Sequence, residues 1–160
     1  MKMNRAVCLV LILLLQPGLC LAARGKVLHI EDGDSGTLQY HGRNVEFRLY
    51  GIDAPELKQN YGNRARARLA KMMLGKTVEF DILDHDRYDR KVVLAFIDGK
   101  CVNEELVKAG LAWVYTHYCR DIRCEKWVKL QELAKKKGIG LWAARDPLPP
   151  WEYRERHGAD

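Results

Sequence analysis

Hydrophobic and polar residues alternate along residues 44–50, which predicts a strand with one buried face. Arg48 is one of the polar residues of this segment. Ile52 breaks the alternation, and Gly51 immediately precedes it. We therefore predict a β-bulge at Gly51 that returns Ile52 to the apolar face. Arg48 and Asp53 would then share the polar face.

The rest of the chain contains patterns for four more strands and for helices. Strands are predicted at residues 26–30, 37–41 and 78–82, and a continuous apolar run predicts a central strand at residues 92–97. Apolar residues at helical spacing, with a glycine at or after the end of each segment, predict helices at residues 63–74, 103–110 and 123–137. Asn103 is the predicted N-cap of the second helix. Together these elements predict an α+β fold, a five-stranded OB-type β-barrel with three helices.

Both ends of the chain are predicted to lie outside this barrel domain, which spans residues 24–145. Residues 1–23 contain two basic residues, then an apolar run, then small residues, a pattern typical of a secretory signal peptide. The apolar run is shorter than the ~20 residues of a membrane span. We expect a secreted or periplasmic protein with no membrane attachment after cleavage. Residues 146–160 are Pro-rich and polar, and we predict an extended tail.

Three cysteines lie beyond the predicted signal peptide. In an oxidising compartment Cys119 and Cys124 could form a disulfide at the start of the last helix, which would leave Cys101 buried and single. A zinc site formed by His117, Cys119 and Cys124 is the alternative. The sequence lacks the paired spacing and the fourth ligand that zinc sites usually have, so we favour the disulfide.

Charged residues are concentrated at three predicted strand ends. The three sets are Asp32 with Asp34, Arg48 with Asp53 and Glu56, and Arg87 with Arg90. Each set alone is compatible with a solvated turn or strand edge. The formal net charge of +6 is a mild basic surplus, which suits a polyanionic partner without requiring one.

Read together, these sets resemble the thermonuclease (staphylococcal nuclease-like) family, and the C-terminal segment resembles that of its secreted bacterial members. The resemblance runs in order from about Val27 to Trp142. Its motifs are DGDS at 32–35, FRLYGIDAPE at 47–56, YGNRA at 61–65, DRYDR at 86–90 and DGKCVNEELVKAGLAWVY at 98–115. The resemblance implies a calcium-dependent nuclease that hydrolyses phosphodiester bonds of DNA and RNA and leaves 3′-phosphate ends.

The resemblance also implies roles for individual residues. It assigns Asp34, Asp53 and the backbone carbonyl of Ala54 as calcium ligands. Its catalytic set is Arg48, Glu56 and Arg90.

These residue types suit the chemistry on independent grounds. Two guanidiniums can form bidentate hydrogen bonds to a phosphate that accumulates negative charge. A carboxylate can orient a water molecule or accept its proton, which contributes ~10²–10⁴-fold to a rate. Oxygen ligands without histidine or cysteine favour a hard cation such as calcium.

Substrate contacts are predicted with alternatives left open. Arg87 and Tyr88 are positioned for a phosphate, and Tyr115 or Tyr118 could stack on a base. Each of these tyrosines could equally be a packing residue. Since the sequence contains no element typical of base reading, we expect DNA and RNA substrates, preferably single-stranded or frayed. We also expect a monomeric protein.

Three positions depart from the family pattern. Ser35 stands where threonine is common, which is a minor change. Ala54 stands where threonine is usual, which is harmless if only its carbonyl binds the cation. Asp89 stands where glycine is usual, so we predict a positive φ at Asp89.

Two alternatives to a nuclease remain: a non-catalytic OB-type module that binds nucleic acid, and a zinc-stabilised interaction domain that depends on the cysteines alone.

Overall fold

The computed structural model describes residues 23–158. The predicted signal peptide therefore lies outside the described residues, except for Ala23. The strands are β1 (Ala23–Ile30), β2 (Ser35–Tyr40), β3 (Arg43–Leu49), β4 (Ile52–Asp53), β5 (Thr77–His85), β6 (Lys91–Ile97), β7 (Lys100–Cys101) and β8 (Trp113–Val114). The helices are α1 (Gly62–Met73), α2 (Val102–Lys108), α3 (Arg123–Lys136), a 3₁₀ turn (Gly140–Ala143) and α4 (Pro150–His157).

Five strands form the closed barrel that the sequence predicts. Their order is β3-β2-β1-β5-β6, with antiparallel neighbours. A parallel pairing between β3 and β6 closes the sheet and aligns Arg48 with Val92. Phe47 and Phe80 are fully buried inside it, as the alternating pattern requires. The α+β, OB-type fold is confirmed, and residues 23–158 form four α-helices, one more than the three predicted.

The chain leaves the barrel at Gly51, although not through the predicted bulge. β3 ends at Leu49, and Ile52 and Asp53 pair with Val114 and Trp113 in a separate two-stranded sheet of β4 and β8. Gly51 has a φ of 69°, and a side chain there would collide with the sulfur of Cys119. A turn into a second sheet thus replaces the bulge, because β8 supplies the pairing partner.

Asn103 does not cap α2 as predicted. The N-cap is Cys101, which makes no side-chain capping bond. Asn103 is instead fully buried, accepts a hydrogen bond from Ala95 N and donates to Tyr50 O and Val93 O. Its amide therefore joins β6 to the turn that leaves the barrel. A polar side chain can satisfy strand ends as well as a helix end, and sequence alone does not distinguish the two.

The disulfide between Cys119 and Cys124 is present and leaves Cys101 free and half-buried. It packs behind the Gly51 turn together with the fully buried Trp127. The zinc alternative is not supported, since two of its three ligands are bonded to each other. Every helix within residues 23–158 is too short or too polar to span a bilayer.

Candidate active site

The turn after β1 directs Asp34 into the protein. Asp32 Oδ1 accepts hydrogen bonds from Asp34 N, Ser35 N and Ser35 Oγ at 2.8–2.9 Å. Gly33 allows the turn to approach α1 closely, because a Cβ there would lie 2.6 Å from the Cβ atoms of Ala54 and Ala65. Asp32 is therefore a turn-forming residue, and Asp34 is the carboxylate presented to the site.

Asp34, Arg48 and Asp53 form a buried cluster at this end of the barrel. Arg48 Nη2 donates to Asp53 Oδ1 at 2.7 Å, and Arg48 Nη1 lies 3.4 Å from Asp34 Oδ1. Asp34 Oδ2 accepts a hydrogen bond from Ala54 N at 2.7 Å. Only 2% of Asp34 and 1% of Asp53 is exposed. The predicted meeting of Arg48 and Asp53 is confirmed, and Asp34 and Ala54 join them.

Burial dominates the electrostatics of this cluster. It raises the pKa of the Asp34 carboxyl well above its ordinary value, and the carboxylates of Asp32 and Asp53 add to the rise, while Arg48 and Ala54 N–H oppose it. The Asp34 anion in turn raises the pKa of Arg48, whose guanidinium stays charged. Desolvation, not the lack of a partner, is what disfavours the Asp34 anion.

Glu56 lies on a compact turn between β4 and α1. Its backbone N donates to Gln59 Oε1 at 2.8 Å, and its carbonyl accepts from Gln59 N at 2.8 Å. Gly62 lets α1 begin against this turn, since a Cβ at Gly62 would overlap the Glu56 carbonyl oxygen. The YGNRA motif thus has a structural reason for its glycine, and Glu56 stays half-buried.

Arg87, Tyr88 and Arg90 lie on the connection between β5 and β6. Tyr88 is 63% exposed, and the guanidiniums of Arg87 and Arg90 lie 4.8 Å and 5.5 Å from its ring centroid. Arg90 Nε donates to Asp86 Oδ2 at 2.7 Å. Val92 of β6 pairs with Arg48, and Arg90 lies two positions before Val92 in the chain. The Cα atom of Arg90 is therefore ~7 Å from the Arg48–Val92 pair, measured along the strand direction. Both predicted catalytic arginines therefore belong to the same closing seam of the barrel.

Residues 46–144 match the family of staphylococcal nuclease homologues. The chain belongs to this family. An "Uncharacterized endonuclease" of Escherichia coli O157:H7 is 37% identical over 155 residues, which cover 96% of this chain and 99% of that protein. One from Haemophilus influenzae is 34% identical over 158 residues, covering 96% and 87%. A "Staphylococcal-like nuclease" of Arabidopsis thaliana is 40% identical over 113 residues, covering 71% and 34%.

Asp89, where the family pattern usually has glycine, adopts the predicted left-handed conformation. Its φ is 64°, and its backbone N donates to Asp86 O at 2.9 Å. Aspartate is among the few residues other than glycine that tolerate this region. The backbone requirement of this position in the nuclease family is therefore met.

The two predicted base-stacking tyrosines differ in their surroundings. Tyr115 stacks on Trp151 with ring centroids 5.0 Å apart and an interplanar angle of 7°. One of its faces is therefore covered by α4. Tyr118 meets Tyr115 edge to face and is 61% exposed. Tyr118 remains the better placed of the two for a base.

Sequence reasoning missed Arg154, which reaches this site from the C-terminal segment. We predicted an extended tail, but residues 150–157 form α4. Arg154 Nη2 donates to Asp53 Oδ2 at 2.7 Å, and Arg154 Nη1 donates to Glu56 Oε1 at 2.5 Å. Although burial opposes its charge, the hydrogen bonds and charges of Asp53 and Glu56 raise the pKa of Arg154.

A signal for α4 was present in the sequence. Pro150 occupies the first helical position, Glu152 lies in the first turn, and basic residues follow in the last turn. This is the order that helix starts and the helix dipole favour.

The donor set at Asp34 and Asp53 fits a hard cation. Asp34 Oδ1 is buried and makes no hydrogen bond. Within residues 23–158, no three histidine, cysteine, aspartate or glutamate side chains are arranged as a metal site. A cation would thus depend on Asp34, Asp53, the Ala54 carbonyl and solvent. Calcium tolerates such an oxygen-only, water-rich shell better than magnesium does.

Proposed function

We propose that the protein is a calcium-dependent nuclease that hydrolyses phosphodiester bonds of DNA and RNA with little sequence specificity, leaving 3′-phosphate ends. Family membership supports a nuclease. The observation that most supports a catalytic site is the position of Arg48. Its guanidinium lies between two buried carboxylates. Arg48 belongs to β3, the strand that pairs with β6, and β6 begins directly after Arg90. A binding module would have no evident need for this desolvated charge cluster.

Each site residue has a role in this proposal. Arg48 and Arg90 bind the phosphate oxygens and stabilise their increasing charge through directed N–H donors. Glu56, adjacent to the cluster, orients the attacking water or accepts its proton. Asp34, Asp53 and the Ala54 carbonyl hold a calcium ion, which would supply further positive charge beside the phosphate. With only two carboxylates as ligands, we expect weak calcium affinity, with a Kd of ~10⁻⁴–10⁻³ M.

The nucleic-acid surface is proposed to be the exposed β5–β6 connection and Tyr118. Arg87 and Tyr88 contact the backbone phosphates, and aromatic rings stack on bases without reading them. Flexible single strands reach such a surface more easily than a regular duplex, so single-stranded or frayed substrates are preferred. We propose that the protein acts as a monomer.

We propose a secreted or periplasmic location. The disulfide between Cys119 and Cys124 is consistent with an oxidising compartment. Mass spectrometry of protein isolated from the cell envelope or medium should find both cysteines oxidised. Free thiols at both positions in that protein would contradict the disulfide.

The variant Glu56→Gln separates cutting from binding. It preserves side-chain size and removes the charge that can accept a proton. We expect the cleavage rate of a single-stranded oligonucleotide to fall ~10²–10⁴-fold, with binding of the uncut strand changed little. Wild-type protein that binds the oligonucleotide in calcium but never cuts it would instead support the alternative of a non-catalytic OB-type module. End analysis of the products tests the 3′-phosphate assignment.

A further inference from the structure

Arg154 occupies the carboxylate oxygens on which the proposed mechanism depends. It contacts both oxygens of Asp53, at 2.7 Å and 3.3 Å, and Glu56 Oε1 at 2.5 Å. Arg48 Nη2 also donates to Asp53, at 2.7 Å from Oδ1. Asp53 is thus shared between two guanidiniums, one from the barrel and one from the C-terminal helix.

The helix that presents Arg154 is held against the site by independent contacts. Trp151 stacks on Tyr115 and meets Trp113 edge to face, with ring centroids 5.7 Å apart in the second pair. Gln59, which also holds the Glu56 turn, donates through Nε2 to Leu148 O at 3.1 Å. These contacts do not involve the Arg154 guanidinium, so α4 has a docked position even when Arg154 is changed.

A guanidinium and a divalent cation oppose each other at the same carboxylate, and Arg154 adds a second guanidinium to the one that Arg48 already places at Asp53. Asp53 is 1% exposed on its side chain and Arg154 is 27% exposed, so solvent screens this pair only partly. A calcium ion bound to Asp53 would either lie a few ångströms from the Arg154 charge or require the guanidinium to leave. Both possibilities cost binding free energy.

We propose that Arg154 is an internal counter-ion that competes with the divalent cation for Asp53. Binding of the cation and docking of the Arg154 guanidinium are antagonistic. This proposal depends on the cation site described under the proposed function. Because the coupling free energy between two binding events is the same in both directions, the cation must weaken the contacts of α4 by the same free energy as those contacts weaken cation binding. The C-terminal helix thereby sets the calcium concentration at which the site fills.

The test is a titration of the protein with calcium alone, without substrate, followed by NMR chemical shifts. Arg154→Gln removes the charge, and Arg154→Lys retains it. Arg156→Gln is the matched control, because it removes the same charge from the same helix, where Arg156 pairs with Glu152 at 3.2 Å. Hydrogen exchange of residues 150–157 with and without calcium is a second measurement.

We expect Arg154→Gln to bind calcium about tenfold more tightly than wild type, the scale of repulsion between these charges at close range in water. Arg154→Lys should stay within about threefold of wild type, and Arg156→Gln should change less than Arg154→Gln. Calcium should accelerate exchange in residues 150–157 of the wild type.

Equal or weaker calcium binding by Arg154→Gln would overturn the inference while leaving the cation site intact. Weaker binding would mean that Arg154 orients Asp53 for the cation. If neither the wild type nor Arg154→Gln binds calcium, the proposed cation site is overturned, and the inference with it.

Discussion

The two charged regions at the closing seam of the barrel are built differently. Asp34, Arg48 and Asp53 are held by backbone and side-chain partners in the interior, and two of the three are almost fully buried. Tyr88 and Arg87, on the β5–β6 connection, are exposed and contact mainly each other and Arg90. The first region is preorganised by the fold, whereas the second is available to a substrate.

This difference predicts where activity and stability are coupled. A buried ion pair that loses one partner leaves a charge without compensation, so changes in the first region should affect both properties. Changes in the exposed region should affect activity with little effect on folding.

Arg48→Ala should have the largest effect, because it combines a lost phosphate contact with two buried carboxylates that lose a partner. We expect a cost of about 3 kcal/mol in the free energy of unfolding and a loss of activity at least as large as that of Arg48→Lys. Chemical denaturation and a cleavage assay measure the two effects. Unchanged stability would show that Arg154 and solvent compensate Asp34 and Asp53 without Arg48.

Arg48→Lys separates charge from geometry in the buried region. Lysine keeps the positive charge but cannot form the bidentate contacts of a guanidinium. By analogy with the loss of one oxyanion donor, the barrier should rise by ~3 kcal/mol or more, with the fold retained. Circular dichroism and kcat measure the two properties. A rate close to wild type would remove Arg48 from the catalytic set.

Arg90→Lys should lose most of the activity for the same chemical reason, but thermal unfolding should change little. Arg87→Lys is the matched control on the same connection, and we expect it to retain more activity. If Arg90→Lys works at nearly the wild-type rate while Arg87→Lys does not, Arg87 is the second phosphate-binding arginine.

Asp89→Gly should have the smallest effect. We interpret Asp89 as a residue chosen for its left-handed backbone, with a carboxylate that has no catalytic role. Glycine adopts the same φ, so activity should be retained or raised. Asp89→Val should be harmful, because a β-branched residue resists positive φ. Activity of Asp89→Gly as low as that of Arg90→Ala would show that the carboxylate is functional.

The barrel could be predicted because local patterns specify it, whereas Asp34 was assigned to the central cluster through the family resemblance. The alternation of apolar and polar residues along residues 44–50 indicated which face of β3 is buried. The end of that alternation at Gly51 indicated where the chain turns. Arg48 and Asp53 meet as predicted, but not on a shared polar face, since Asp53 is buried and belongs to β4 in the second sheet. The predicted bulge was wrong because β8, a two-residue strand, has no recognisable pattern of its own.

Long-range contacts explain what the sequence did not predict. Asn103 has a residue type suited to an N-cap, but it bonds the carbonyl of Tyr50 in the turn after β3 and the backbone of β6. Arg154 lies 101 residues from Asp53 in the chain. Its segment carries local signals for a helix but is polar and short, so the helix also depends on the aromatic contacts of Trp151 with Trp113 and Tyr115.

The central claim is that a calcium ion at Asp34 and Asp53 is required for phosphodiester hydrolysis. The most direct test incubates the mature protein with single-stranded DNA in calcium, in chelator, and in chelator followed by excess calcium. We expect cleavage in calcium, none in chelator, and recovery when calcium is restored. Undiminished cleavage in chelator would contradict the claim.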